Sequence, residues 1–130
     1  MNIPTELVYT ENDEWIRVEE DTGTVGITDY AQDQLSDVVF VEIIAELEET
    51  LNQGDTCATV ESVKAAADVY LPIGGTITAV NEDLLDTPEL INTDPYGDAW
   101  LVKFTISDPS QQDSLLDAAA YQKHCEERQA

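Results

Sequence analysis

The chain has 130 residues, of which 28 are Asp or Glu and only 5 are Lys or Arg, giving a formal net charge of −23. That length accommodates one domain with a sizeable core, and a hydrophobic fraction of 42% with two Trp is too rich for a chain held unfolded by its charge. Five cations cannot neutralise a nucleic-acid backbone or an anionic lipid face, and no apolar run approaches the 18 residues of a bilayer span, so neither nucleic acid nor membrane is expected as a partner.

In chain order, most elements read as short strands. Met1-Asn2-Ile3-Pro4-Thr5-Glu6 has the pattern of neither a signal peptide nor an Arg-rich transit sequence. Glu14-Trp15-Ile16-Arg17-Val18-Glu19 alternates as a half-buried strand should, and Asp21-Thr22-Gly23 turns it into a second β-rich run over 24–28. Thr28 or Asp29 can cap a short helix over 29–35. Val38-Val39-Phe40-Val41-Glu42-Ile43-Ile44 is a run dominated by β-branched residues, read as a buried strand. Residues 45–53 permit a helical turn before Gln53-Gly54-Asp55 breaks the chain. Strands follow over 56–63, 68–71 and 76–80, then capped helical turns over 81–92, a tight turn at Pro95-Tyr96-Gly97-Asp98 and a last strand over 100–106. From 110 to 128 the period becomes helical, with Leu115, Leu116, Ala119, Ala120 and Tyr121 as its apolar face. Many short strands separated by regular turns indicate a mainly β sandwich or barrel.

The cations are Arg17, Lys64, Lys103, Lys123 and Arg128, so Lys64 stands alone among 19 acidic side chains between Arg17 and Lys103. It heads the small-residue sequence Lys64-Ala65-Ala66-Ala67, flanked on each side by strand, turn and strand. This is the layout of a quasi-symmetric sandwich with a central hairpin, whose tip presents one long amine with nothing bulky beside it. Cys57 and Cys125 form no disulfide framework and no CxxC pair. Cys57 reads as a small buried hydrophobe. His124-Cys125 is not a reactive pair, because neighbours in sequence do not face each other on a helix. Trp15 and Trp100 read as core or core-edge residues, and the carboxylates of Asp29, Asp33, Glu46, Glu48 and Glu49 as solvated surface.

Four blocks in their order resemble the H-protein family of the glycine cleavage system: Val25-Gly26-Ile27-Thr28-Asp29-Tyr30-Ala31-Gln32; Asp37-Val38-Val39-Phe40-Val41-Glu42; Glu61-Ser62-Val63-Lys64-Ala65; and Pro88-Glu89-Leu90-Ile91-Asn92 with Asp94-Pro95-Tyr96-Gly97. The resemblance covers nearly the whole chain. It implies a barrel-sandwich hybrid of two antiparallel sheets, with a short helix near 29–35 and C-terminal helices over about 110–128. Residues 1–130 would form one lipoyl-carrier domain with its lipoyl hairpin over about 56–71. It implies lipoate in amide linkage on Lys64, Glu61 as part of the signature read during lipoylation, and Glu14 and Asp68 lining the cleft that receives the loaded arm. It also implies a shuttle without catalysis of its own, the cofactor supplying the reactivity. The expected partners are the pyridoxal-phosphate glycine decarboxylase (P protein), which donates an aminomethyl group, and the tetrahydrofolate-dependent aminomethyltransferase (T protein), which receives it. The FAD enzyme dihydrolipoamide dehydrogenase (L protein) would reoxidise the carrier, and a lipoate ligase or octanoyltransferase would modify it. The expected protein is cytoplasmic and monomeric.

The chain departs from the family pattern where many relatives carry His at the position of Asp13, and some at that of Gln34. The usual Leu-Gly-Asp reads Leu35-Ser36-Asp37, and a longer acidic segment over 43–49 replaces a Pro/Gly-rich turn. None of these touches the lysine block. A lipoyl domain of a 2-oxo-acid dehydrogenase complex is the first alternative, but it would show Asp-Lys-Ala at the tip and continue into a linker. A biotinyl carrier would show Met-Lys-Met where this chain has Val63-Lys64-Ala65. An H-like protein that relays lipoyl groups to other proteins shares the lysine block.

Overall fold

The computed structural model describes residues 2–129. Nine strands pair antiparallel throughout: β1 (Val8–Tyr9), β2 (Glu14–Glu19), β3 (Thr22–Ile27), β4 (Val38–Ile43), β5 (Thr50–Leu51), β6 (Thr56–Ser62), β7 (Ala66–Tyr70), β8 (Gly75–Val80) and β9 (Val102–Ile106). They form a six-stranded sheet in the order β1-β2-β3-β9-β8-β5 and a three-stranded sheet in the order β4-β6-β7. Helices α1 (Asp29–Leu35), α2 (Asp83–Asp86), α3 (Leu90–Thr93) and α4 (Ala118–Gln129) complete the fold, with a 3-10 turn over Pro109–Ser114.

The sequence places α1 for a local reason. Thr28 is in extended conformation and its hydroxyl accepts from Ala31 N–H, so an N-cap starts the helix, and Ser36 at φ 65° stops it. The main core lies between the two sheets and includes Ile16, Val25, Val41, Val60, Val69, Ile77, Leu101 and Phe104. A second apolar cluster, Leu7, Tyr9, Trp15, Tyr30, Tyr121 and Cys125, forms where α4 packs on the N-terminal strands. Ile16 belongs to the first cluster and Trp15 to the second, so β2 is covered on both faces. Tyr9 and Tyr121 stack at 4.7 Å within the second cluster. Gly26 lies opposite Trp15 in register, and a Cβ there would stand 2.7 Å from the indole, so only glycine fits.

Four expectations change. The run over 38–44 is not uniformly buried: the register slips between Val38 and Phe40, and that bulge turns both Val39 and Phe40 outward, 53% and 48% exposed. No helical turn forms over 45–53, where β5 instead joins the large sheet through β8. The quasi-symmetry is partial, because β4 pairs with β6 whereas β8 pairs with β9 and β5 rather than with β7. In the C-terminal segment the buried positions are Tyr121 and Cys125, while Ala119 and Ala120 are exposed. Leu116 precedes α4 and exchanges backbone hydrogen bonds with Tyr9.

Candidate functional site

The hairpin of β6 and β7 carries Lys64 at its tip. Its register runs Thr59↔Asp68, Val60↔Ala67 and Glu61↔Ala66, leaving Val63, Lys64 and Ala65 beyond the ladder. One side chain holds this turn: Ser62 Oγ accepts from Lys64 N–H at 3.1 Å and Ala65 N–H at 2.9 Å and donates to the Ala65 carbonyl at 3.0 Å. Val63 N–H donates to the Asp37 carbonyl, tying the tip to the start of β4. Residues 63–66 are all exposed, so the ammonium of Lys64 is offered to solvent on a fixed base. Glu61 is exposed one ladder step below the tip.

Beneath the tip lies a cleft of about 190 Å³ between the hairpin and α1, lined by Asn12, Asp13, Ile27, Ala31, Gln34, Leu35, Val60, Ala67, Asp68 and Val69. Its walls are largely aliphatic, with carboxylate and amide groups at the rim. The volume is below that of a typical pocket for a drug-sized ligand and suits a slender apolar end-group. Asp68 is exposed here and accepts from the Thr59 hydroxyl at 3.3 Å.

Glu14 occupies a different place from the cleft wall expected of it. It is 1% exposed and lies outside the lining, with the Thr10 hydroxyl donating to Oε1 at 2.5 Å and Tyr70 N–H to Oε2 at 3.0 Å. The second bond joins β2 of the large sheet to β7, so this carboxylate ties the lysine hairpin to the body of the fold. Burial pushes its pKa up to about 7; the hydrogen bonds from Thr10 and Tyr70 pull it down, and nearby Asp13 adds repulsion. Of the four residues singled out from the sequence, Lys64, Glu61 and Asp68 share the exposed hairpin, and Glu14 supports it from inside.

The two departures Asp13 and Gln34 both face the cleft. Asp13, at φ 70°, is gripped from α4: Arg128 Nη1 and Nη2 donate to its two oxygens at 3.0 and 2.5 Å, and the Tyr121 hydroxyl donates at 2.8 Å. Tyr121 also shares a 2.6 Å hydrogen bond with the α1 cap Thr28, and Arg128 lies 4.2 Å over the Tyr30 ring. Residues of α4 therefore hold both the 10–13 loop and the start of α1, two walls of the cleft. Sequence reasoning missed this network because its partners are up to 115 positions apart. It also missed Asn92, whose side chain accepts from Val38 N–H and donates to Ser36 O and Gln32 Oε1, joining α3, α1 and β4. The family block containing Asn92 was the available signal.

Cys57 is buried as expected, and its burial pushes the thiol up to about 12, so it is inert as a nucleophile. Cys125 is buried as well. Trp15 is core and Trp100 half-buried. Among the described residues no group of His, Cys, Asp and Glu has the arrangement of a metal site, and no helix is long and apolar enough to cross a membrane.

Known proteins agree with this geometry. The family described as "Glycine cleavage H-protein" matches residues 7–128. The chain is 56% identical over 122 residues to the "Glycine cleavage system H protein" of a Shewanella species, covering 93% of this chain and 94% of that one. It is 47% identical over 127 residues to the protein of the same name from Halothermothrix orenii, covering 98% of each. A crystal structure of a glycine cleavage system H protein from Mycobacterium marinum superposes with a TM-score of 0.81 at 33% identity, over 98% of this chain and all of that one. The mainly β fold of two antiparallel sheets with a C-terminal helix is thus that of a solved relative, and this chain belongs to the glycine cleavage H-protein family.

Proposed function

We propose that this protein is the lipoyl-bearing shuttle of a glycine cleavage system, working as a single lipoyl-carrier domain over residues 1–130. Lys64 is the attachment residue. The observation that carries this reading is the hairpin tip, where one exposed lysine stands on a turn built by Ser62, with small neighbours that leave its approach open. Lipoate in amide linkage there supplies a disulfide that can accept and release a one-carbon amine unit. The protein is a non-catalytic component: its residues present, shelter and release, and the partner enzymes carry out the chemistry.

The cleft fits the attached group. Ile27, Ala31, Leu35, Val60 and Val69 exclude water from an apolar end-group, and the Asp68 carboxylate at the rim can accept a charge-assisted hydrogen bond from a cationic one. Glu14 holds β7 in place beneath. The partners would be glycine decarboxylase, the tetrahydrofolate-dependent aminomethyltransferase and dihydrolipoamide dehydrogenase, with a lipoate ligase or octanoyltransferase acting first and Glu61 read in that step. The setting proposed is the cytoplasm.

The test uses the lipoylated protein with glycine decarboxylase, pyridoxal phosphate and glycine labelled at its methylene carbon. Label should appear on the protein and be absent from Lys64→Ala. Lipoylated protein that takes up no label would overturn the shuttle reading.

A further inference from the structure

Val39, Phe40 and Val63 are three of the six large apolar side chains exposed among the described residues, at 53%, 48% and 70%. Single exposed aliphatics need no explanation, but contiguous ones do. These three are brought together by the backbone. Val38 pairs with Ser62 and Phe40 with Glu61, while Val63 N–H is bonded to the Asp37 carbonyl, so the start of β4 lies alongside the lysine tip. The bulge between Val38 and Phe40 is what turns Val39 and Phe40 to the outside together; a regular strand would bury one of them. Around them stand the exposed carboxylates of Asp37, Glu42, Glu61 and Asp68, and the one cation in this part of the chain is Lys64.

We infer that Val39, Phe40 and Val63, ringed by these carboxylates, are the docking surface for the enzyme that acylates Lys64. Its seat would be an apolar pocket with a cationic rim. This rests on the carrier reading above and adds the surface by which the modifying enzyme finds its lysine. The occupant follows from reach. An enzyme that acts on Lys64 Nζ must approach within the four-carbon stem of the side chain, so it has to touch whatever flanks the tip. Enzymes that act at the far end of a completed arm need not. Charge selects the same partner, since an acidic ring repels another copy of this chain and attracts a basic rim. An aromatic side chain at the centre of a small patch has the make-up of an interface core.

In the step served, Lys64 Nζ, deprotonated, attacks the carboxyl carbon of an activated acyl donor such as an acyl adenylate. The amide bond forms, the bond to the adenylate oxygen breaks, AMP leaves with the electron pair, and the Nζ proton passes to solvent.

The experiment follows acylation of the full chain by a lipoate–protein ligase with lipoate and ATP, reading intact mass against time at several protein concentrations. Phe40→Ala should lower kcat/KM at least ten-fold through KM, with kcat held, and Phe40→Leu should recover most of it. Val39→Ala should lower kcat/KM less. Glu61→Gln should lower it and flatten its dependence on salt. Leu47→Ala removes an exposed apolar side chain beyond the far end of β4 and should change nothing. Equal rates for Phe40→Ala and the wild type would overturn the docking surface while leaving the carrier reading intact, and so would an equal loss in Leu47→Ala. Wild-type protein that takes up no lipoyl group would overturn both. Unmodified protein that sediments as a dimer, dissolved by Phe40→Ala, would assign the patch to a second copy and overturn the docking inference alone.

Discussion

The lysine tip and the cleft beneath it are built on opposite plans. The tip is nearly local: one serine side chain makes three hydrogen bonds within residues 62–65, the Val63 N–H bond to the Asp37 carbonyl is its tie to β4, and residues 63–66 are exposed. The cleft is assembled from the 10–13 loop, β3, α1, β6 and β7, and is held by residues of α4 that do not line it. A group that must visit several enzymes belongs on an element whose shape depends on little that is distant. A shelter has to be dry, and dryness requires many elements to converge.

The contrast can be broken most sharply at the aromatic cluster. Trp15→Ala removes a fully buried side chain from the cluster where α4 packs on the N-terminal strands and should cost about 3–5 kcal/mol in chemical denaturation. Lys64→Ala, at the tip, should change stability by less than about 0.5 kcal/mol. A tip substitution as damaging as the core one would abolish the distinction between the two regions.

Next in size is the pH dependence carried by Glu14. Its folded-state pKa of about 7 lies above the ordinary carboxylate value, so the native state binds the extra proton. The contribution to stability is therefore fully present below the unfolded-state pKa and is lost as pH rises through about 7. Between pH 5 and 8 the wild type should lose on the order of 2 kcal/mol relative to Glu14→Gln, which has no proton to release. Denaturation curves for the two proteins that stay parallel across this range would contradict the burial argument.

A smaller loss than at Trp15 or Glu14 is expected at the α4 grip. The guanidinium of Arg128 and the carboxylate of Asp13 are both partly exposed, so Arg128→Ala should cost about 1 kcal/mol, less at high salt. Hydrogen exchange should nevertheless rise in residues 10–13 and at the start of α1, and stay unchanged at 62–66. Faster exchange at the tip as well would mean that the two regions are coupled after all.

The same division explains what was legible in the sequence. The hairpin, its lysine and the Thr28 cap are written in neighbouring residues, and they stand where expected. Glu14 was placed at the cleft by the family resemblance alone, which carries no sign that this carboxylate lies on the Ile16 face of β2 and is buried against Tyr70 of β7. Trp15, on the opposite face, is buried because the chain's last helix returns to cover it. Val39 and Phe40 were assigned to the interior for a related reason: an apolar run shows no sign of the bulge that turns two successive side chains outward. The residues around Asn92 and Tyr96 were visible only as family blocks. Their physical work is long-range, Asn92 bonding to Val38 and Gln32, and Tyr96 accepting from Asp29 N–H and donating to the Asn2 carbonyl.

The central claim is that Lys64 is the residue on which everything else converges, and intact mass with peptide mapping tests it most directly. After incubation with lipoate, ATP and a lipoate–protein ligase, the wild type should gain the mass of one lipoyl group, located in the peptide containing Lys64, and Lys64→Ala should gain none. A wild-type chain that stays unmodified, or a Lys64→Ala chain that still gains the group at Lys103 or Lys123, would contradict it.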